Sequence, residues 1–105
     1  MNENKSYPIE KPLEGLESFY EEFLASRKKE LNELQSALNE KNYTFIAEVA
    51  HRWKGFCEPY GFGQLAKIAK DIETYAKDQQ ADNCQRLLKQ TEDYLNYKAT
   101  VIPKL

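Results

Sequence analysis

The chain has 105 residues, which is long enough for one hydrophobic core and too short for two, so a multidomain enzyme is excluded. Fifteen Lys and Arg against seventeen Asp and Glu give a formal net charge of -2. This balance disfavours a nucleic-acid-binding protein, whose surface is usually strongly basic. With 41% hydrophobic and 30% charged residues, the composition is that of a folded globular domain.

No part of the sequence resembles a signal peptide or a membrane span. The first residues, MNENKSYPIEKP, are polar, and no apolar run approaches the roughly 18 residues of a spanning helix. We therefore expect a cytoplasmic protein with no membrane contact. Cys57 and Cys84 lack a CxxC spacing, and a reducing cytosol would keep both as thiols. A disulfide or a zinc site is disfavoured.

The chain divides into three predicted segments. Residues 1–12 are polar and interrupted by Pro8 and Pro12, which predicts a flexible N-terminal arm. Residues 13–98 should form the helical domain, and residues 99–105 should form a C-terminal tail.

The first half of the helical domain contains two apolar stripes with three- and four-residue steps. The first runs from Leu13 to Leu24 and predicts a short accessory helix. The second contains Leu31, Leu34 and Leu38 within a charged stretch, and predicts a separate helix over residues 26–41.

Three more helices are predicted further along the chain. A broad apolar face indicates a helix over residues 43–57, which Pro59 and Gly61 should end. The next two stripes run from Leu65 to Ala76 and from Cys84 to Leu95, with Asp82 as the N-cap of the last helix. Since no segment alternates like a strand, we predict an all-α fold. It should be an antiparallel four-helix bundle with the short accessory N-terminal helix across one end.

His51 is the only histidine. Advancing 100° per residue from Phe45 places the apolar residues between about 20° and 140° and His51 near 240°, opposite the buried face. Gly55 lies one turn further on the same face, where a helical glycine costs about 1 kcal/mol relative to alanine. We infer that this glycine clears the approach to the imidazole. Lys54 can bring an ammonium group toward the same ring.

These residues form a recognisable motif. Ala50-His51-Arg52-Trp53-Lys54-Gly55, followed by Gly61, Leu65 and Ile72-Glu73, closely resembles the AHxLKG…G…L…LE signature of histidine-containing phosphotransfer (HPt) domains. The resemblance extends from about Leu16 to Leu95. It implies a four-helix bundle in which His51 accepts a phosphoryl group from the aspartyl phosphate of a receiver domain and passes it to another receiver.

The resemblance also implies a role for each motif residue. Lys54 would stabilise the phosphoryl charge, and Gly55 would keep the docking face open. Receiver docking and access should involve Gly55, Gly61 and Glu58. Glu73 occupies the position from which a polar side chain in some members orients the imidazole. The implied partners are response-regulator receiver domains and a hybrid histidine kinase, and we expect a freestanding monomer.

The chemistry expected of His51 requires little from the chain itself. A neutral imidazole has a lone pair for in-line attack on phosphorus, so no general base is needed. The sequence offers no metal-binding cluster or phosphate-cradling loop of its own, so we expect no cofactor here and Mg²⁺ in the partner receiver. The chain would then be a phosphocarrier and not an enzyme.

Three residues depart from the family pattern. Trp53 stands where leucine is common, and its place on the apolar face predicts a core side chain. Pro59 should end its helix early. Glu58 lies seven residues after His51, near 220° on the same helical face, where it would repel a phosphoryl group or an acidic receiver.

Two other hypotheses remain open. Glu48 and His51 have the Glu-x-x-His spacing of di-iron bundles, but such sites need a second pair and further glutamates. Alternatively, the domain is a non-phosphorylated adaptor that binds and regulates a receiver or a histidine kinase. Binding by an adaptor would survive His51→Gln, whereas phosphotransfer would not.

Overall fold

The computed structural model describes Tyr7 and residues 9–101 of the chain. These residues form four α-helices: α1 (Tyr20–Asn39), α2 (Tyr43–Phe56), α3 (Gly63–Lys77) and α4 (Ala81–Thr100). Two single-turn 3-10 helices, Glu17–Phe19 and Glu58–Tyr60, precede α1 and α3 respectively. Short connections join successive helices, so neighbours run antiparallel. Helices α1 and α3 each pack against both α2 and α4. The all-α four-helix bundle predicted from the sequence is confirmed.

The core is built from the apolar stripe of each helix. Trp53 is completely buried at its centre, as predicted, and its indole N–H donates to Glu30 Oε1 at 2.7 Å, so the polar edge of the ring has a partner. Cys57 and Cys84 are buried free thiols. Burial raises the pKa of Cys57 to about 12, which keeps it protonated and inert at neutral pH.

None of the helices in the described part of the chain combines the length and the apolar character that a membrane-spanning segment requires.

One prediction about the helices was wrong. The accessory helix and the second helix are not separate, because α1 runs without a break from Tyr20 to Asn39, and only the single turn Glu17–Phe19 precedes it. The two apolar stripes are joined by Arg27, which is buried at an apolar position of α1. Its guanidinium lies 4.3 Å from the centre of the Phe23 ring, and its Nε is 2.8 Å from Glu30 Oε1. An arginine can continue an apolar stripe because its long stem packs like a hydrocarbon.

Two smaller differences concern α4. Its N-cap residue is Gln80, and Asp82 lies inside the first turn, where its negative charge still favours the helix N-terminus. Ala99 and Thr100, assigned to the tail, belong to the last turn of α4. The remainder of the predicted tail after Val101 lies outside the described residues.

Tyr7 and residues 9–12, the part of the N-terminal arm that the structure describes, contact the bundle. Glu10 inserts its carboxylate between α3 and α4. Its Oε1 accepts hydrogen bonds from Tyr94 Oη at 2.5 Å and Lys98 Nζ at 3.0 Å, and its Oε2 accepts from the Gln64 N–H at 2.6 Å. The last of these hydrogen bonds gives an acceptor to a backbone N–H in the first turn of α3, which has no partner within the helix. Tyr7 packs edge-on against Tyr94. Residues 1–6 and 8 of the predicted arm lie outside the described residues.

Lys98 is the buried cation that these contacts surround. Its side chain is only 2% exposed, and its ammonium also donates to the Gly61 carbonyl at 2.7 Å. The rings of Phe62, Tyr20 and Tyr94 lie within 5.7 Å of the ammonium. Burial lowers the pKa of Lys98, and the hydrogen bond and charge of Glu10 oppose that effect. The arm therefore supplies the counter-ion of a buried lysine.

Removing that counter-ion should destabilise the fold. We expect Glu10→Ala to lower the free energy of unfolding by about 3 kcal/mol, because it leaves the buried Lys98 ammonium without its counter-ion and the Tyr94 hydroxyl without its acceptor. Urea denaturation at pH 7 measures this, with the exposed Glu14→Ala as the matched control. Equal stabilities of the two variants would contradict the assigned role of Glu10.

Candidate functional site

His51 lies beside a groove between α2 and α3 with a volume of about 690 Å³. Its side chain is 67% exposed, so the orientation predicted from the helical periodicity agrees with the structure. The following residues line the groove: Tyr43, Thr44, Ala47, Glu48, His51, Arg52, Glu73, Ala76, Lys77 and Gln79. The groove therefore extends from His51 toward the N-terminal end of α2 and the C-terminal end of α3.

Glu73 lies beneath the imidazole and connects α3 to α2. Its carboxylate is only 8% exposed, and Oε2 is 3.0 Å from His51 Nδ1. The other oxygen, Oε1, is 2.9 Å from Lys54 Nζ. Lys77, one turn along α3 from Glu73, places its Nζ 3.1 Å from Oε2. One carboxylate thus contacts the ring and two ammonium groups.

These contacts determine the charge of Glu73. The hydrogen bond from Lys54 contributes most to lowering its pKa to about 2, with further contributions from Lys77 and His51, and burial opposes them. Glu73 is therefore ionised at neutral pH and can only accept hydrogen bonds. Because His51 Nδ1 faces this acceptor, the neutral ring carries its proton on Nδ1. The lone pair is then on Nε2.

Gly55 leaves the space beside His51 open. A Cβ atom added to Gly55 would meet no other residue within 4 Å, although the position is helical and accepts a side chain. Neither a backbone constraint nor crowding within the chain explains the glycine. This is consistent with a glycine that leaves room for an approaching partner.

The structure does not bring Gly61 and Glu58 into the groove beside His51. Gly61 is buried with φ 93°, and an added Cβ would lie 2.9 Å from the Pro12 nitrogen, so the chain needs glycine there for the turn and for the packing of the arm. Glu58 starts the 3-10 turn after α2 and lines a different cavity together with Glu10 and Lys67. Both residues lie beside the arm, and their expected role at the docking face stays a prediction.

The aromatic residues near the site mostly close the end of the bundle. Phe62 is completely buried, and its ring centre lies 4.9 Å from that of Phe23. Tyr60 stacks on the same Phe23 ring at 4.5 Å. Tyr43 is the aromatic side chain that lines the groove.

Sequence reasoning did not single out Lys77. The Glu73-x-x-x-Lys77 spacing is the signal that was available, because residues four apart on a helix face each other and opposite charges pair there. What the spacing alone does not reveal is that the pair lies beside His51, since this depends on the packing of α3 against α2.

The di-iron hypothesis has no support in the described ranges. Glu48 and His51 both line the groove, but no group of three or more His, Cys, Asp or Glu side chains is placed to hold a metal ion within residues 9–101 or at Tyr7. The Glu-x-x-His spacing is here a consequence of two groove-lining positions one turn apart.

A comparison with known protein families shows the family to which the chain belongs. The model of the Hpt domain matches residues 18–99, which is most of the chain and covers α1, α2, α3 and all of α4 except its last residue. The chain belongs to the Hpt domain family. Hpt domains are phosphocarriers that perform histidine phosphotransfer in phosphorelays, and they interact with receiver domains and histidine kinases. No curated protein and no solved structure matches the chain significantly.

The tautomer of His51 can be tested directly in this Hpt domain. When the ring is neutral, ¹⁵N NMR of the single histidine should show a protonated Nδ1 and an unprotonated Nε2. Glu73→Ala should produce a mixture of tautomers, because the acceptor below Nδ1 is lost. A predominantly Nε2-protonated ring in the unmodified protein would contradict the proposed hydrogen bond.

The pH dependence of stability should report on Glu73. Its folded-state pKa of about 2 lies below the ordinary 4.5, so its ionised form stabilises the fold above about pH 5 and this contribution is lost as the pH falls toward 2. We expect the stability difference between the unmodified protein and Glu73→Gln to shrink over that range. Urea denaturation between pH 7 and pH 2 measures it, with the exposed Glu33→Gln as control. A difference that stays constant with pH would refute the assignment.

Proposed function

We propose that this Hpt domain is a phosphocarrier in a multistep phosphorelay that uses His51 Nε2 as its phosphoryl acceptor. The observation that carries the proposal is the contact between His51 Nδ1 and the ionised, buried carboxylate of Glu73. It leaves the lone pair on the exposed nitrogen. Glu73 thus holds the ring at Nδ1, and the rest of the imidazole is open to an approaching partner.

The transfer step follows from this geometry. The Nε2 lone pair attacks the phosphorus of an aspartyl phosphate on a receiver domain, the N–P bond forms and the P–O bond breaks, and the receiver regains its carboxylate. The proton on Nδ1 stays in place, so the ring becomes positively charged beside Glu73, which stabilises that charge. The second transfer is the reverse of this step toward another receiver.

Most of the remaining chemistry would belong to the partner. Phosphoryl transfer needs cations around the phosphoryl oxygens, and we expect a Mg²⁺ ion in the receiver's active site to supply the largest charge. Lys54, held by Glu73, would supply a positive charge from this domain. The proposed partners are receiver domains and a hybrid histidine kinase.

Incubation with a set of phosphorylated receiver domains and Mg²⁺ tests the proposal. We expect an acid-labile, alkali-stable phosphate on this protein that maps to His51 and is absent from His51→Gln. A receiver that binds tightly to both proteins but transfers no phosphate to either would instead support the adaptor hypothesis and refute the phosphocarrier.

The open space at Gly55 gives a second test. Gly55→Gln should leave the free energy of unfolding unchanged or raise it by up to about 1 kcal/mol, because the side chain enters open space and glutamine has a higher helix propensity than glycine. It should nevertheless block transfer, since the side chain fills the approach to His51. Gly55→Ala is the control, with a similar gain in stability and a much smaller effect on transfer. Unchanged transfer rates in Gly55→Gln would remove the steric argument.

A further inference from the structure

The N-terminal arm is bound to the bundle through one carboxylate. Lys98 Nζ and Tyr94 Oη donate hydrogen bonds to one oxygen of Glu10. The backbone N–H of Gln64 donates to the other. Together these donors form the arm site, which belongs to the bundle because the side chains of Lys98 and Tyr94 are buried. Residues 9–13 form no helix or strand, so the arm can leave this site without breaking secondary structure.

The connection between the arm and α1 is a turn with a special backbone conformation. The Leu16 N–H donates to the Leu13 carbonyl at 2.9 Å, which closes a turn over residues 13–16. Gly15, the third residue of this turn, has φ 94°, and an added Cβ would meet no other residue within 4 Å. A side chain there would cause backbone strain but no clash, because L residues rarely adopt a positive φ. Rotation at this turn would carry the arm away from its own bundle.

Large apolar side chains are exposed at the same end of the molecule. Within the described part of the chain, these are Ile9, Leu13, Phe19 and Val101, which are between 41% and 89% exposed. The first two belong to the arm and its turn, and Phe19 lies in the 3-10 helix that follows. Val101 comes three residues after Lys98, which contacts the arm. Exposed apolar surface of this kind is typical of an interaction surface.

We propose that two copies of this domain exchange their N-terminal arms, so that Glu10 of each copy enters the arm site of the other. Every contact between arm and bundle is made again in such a dimer, which is why the exchange of identical segments costs little free energy. Opening the two turns brings the connecting segments of both copies side by side. Apolar side chains that the monomer exposes around the turn are then covered, and their burial favours the dimer.

The exchange depends on protein concentration. In the monomer the arm is tethered to its own bundle, which corresponds to an effective concentration of about 1 mM for a short connection. With identical contacts the dimer would form at about that concentration, and burial of the apolar side chains lowers the concentration needed. The monomer expected from the sequence is therefore the form in dilute solution. No arm residue lines the groove beside His51, so each copy keeps its site in the dimer.

Gly15→Ala tests the exchange through the strain in the turn. Alanine disfavours the closed turn about tenfold, and a dimer opens two turns, so the association constant should rise about a hundredfold. Gly55→Ala is the matched control, because an added Cβ there also meets open space but the backbone is helical. Sedimentation equilibrium up to about 1 mM measures the association of both variants, and circular dichroism verifies that both are folded.

The location of the arm in the dimer requires a second measurement. The ring centres of Tyr7 and Tyr97 lie 4.7 Å apart, so their protons should give a nuclear Overhauser effect. A mixed Gly15→Ala dimer is prepared by refolding ¹³C-labelled chains together with unlabelled chains. Isotope-filtered spectra should then show the effect between Tyr7 of one copy and Tyr97 of the other.

Two results would overturn the exchange. One is a Gly15→Ala protein that associates no more strongly than Gly55→Ala. The other is a dimer in which the effect between Tyr7 and Tyr97 arises only within one copy, because the copies then associate through their surfaces with both arms in place. Neither measurement involves phosphorylation of His51, so the proposed function is unaffected by either result.

Discussion

The carboxylate of Glu73 is the group on which the geometry of the site depends. It comes from α3, is almost completely buried, and contacts His51 and Lys54 of α2 as well as Lys77 of its own helix. A buried anion is costly unless cations and hydrogen bonds surround it, and here three donors do so. Because the anion cannot donate a hydrogen bond, it determines which imidazole nitrogen is protonated. The exposed nitrogen is left with a lone pair, which is the property that phosphotransfer needs.

The bundle places this carboxylate by packing α2 firmly against α3. Trp53 fills the core from the face of α2 opposite His51, so the helix cannot rotate without exposing a buried indole. At the end of the bundle, Glu10 joins the first turn of α3 to Lys98 of α4 through three hydrogen bonds. These contacts lie away from the imidazole, and they hold the helix that carries Glu73. The described part of the arm is therefore a structural part of the domain, and Gly61 is needed where Lys11 and Pro12 cross it.

Local patterns in the sequence predicted most of the fold. The apolar stripe of α2 gave its limits to within one residue and showed that His51 faces outward, because helical periodicity is a local property. The break expected between Leu24 and residue 26, inside α1, was wrong, since Arg27 occupies an apolar position and packs on Phe23. The contacts of Glu10 were not predicted, because its partners are far along the chain and no local pattern reveals such a pair. The contact between Glu73 and His51 depends on helix packing, and only the family resemblance suggested it beforehand.

The most direct test of this account is ¹⁵N and ³¹P NMR of the protein after phosphorylation by a receiver domain, with the histidine labelled by ¹⁵N. Since His51 is the only histidine, the ring signals need no further assignment. We expect a one-bond coupling between phosphorus and Nε2, together with a proton that remains on Nδ1. A phosphoryl group on Nδ1, or phosphate bound to any other residue, would contradict it.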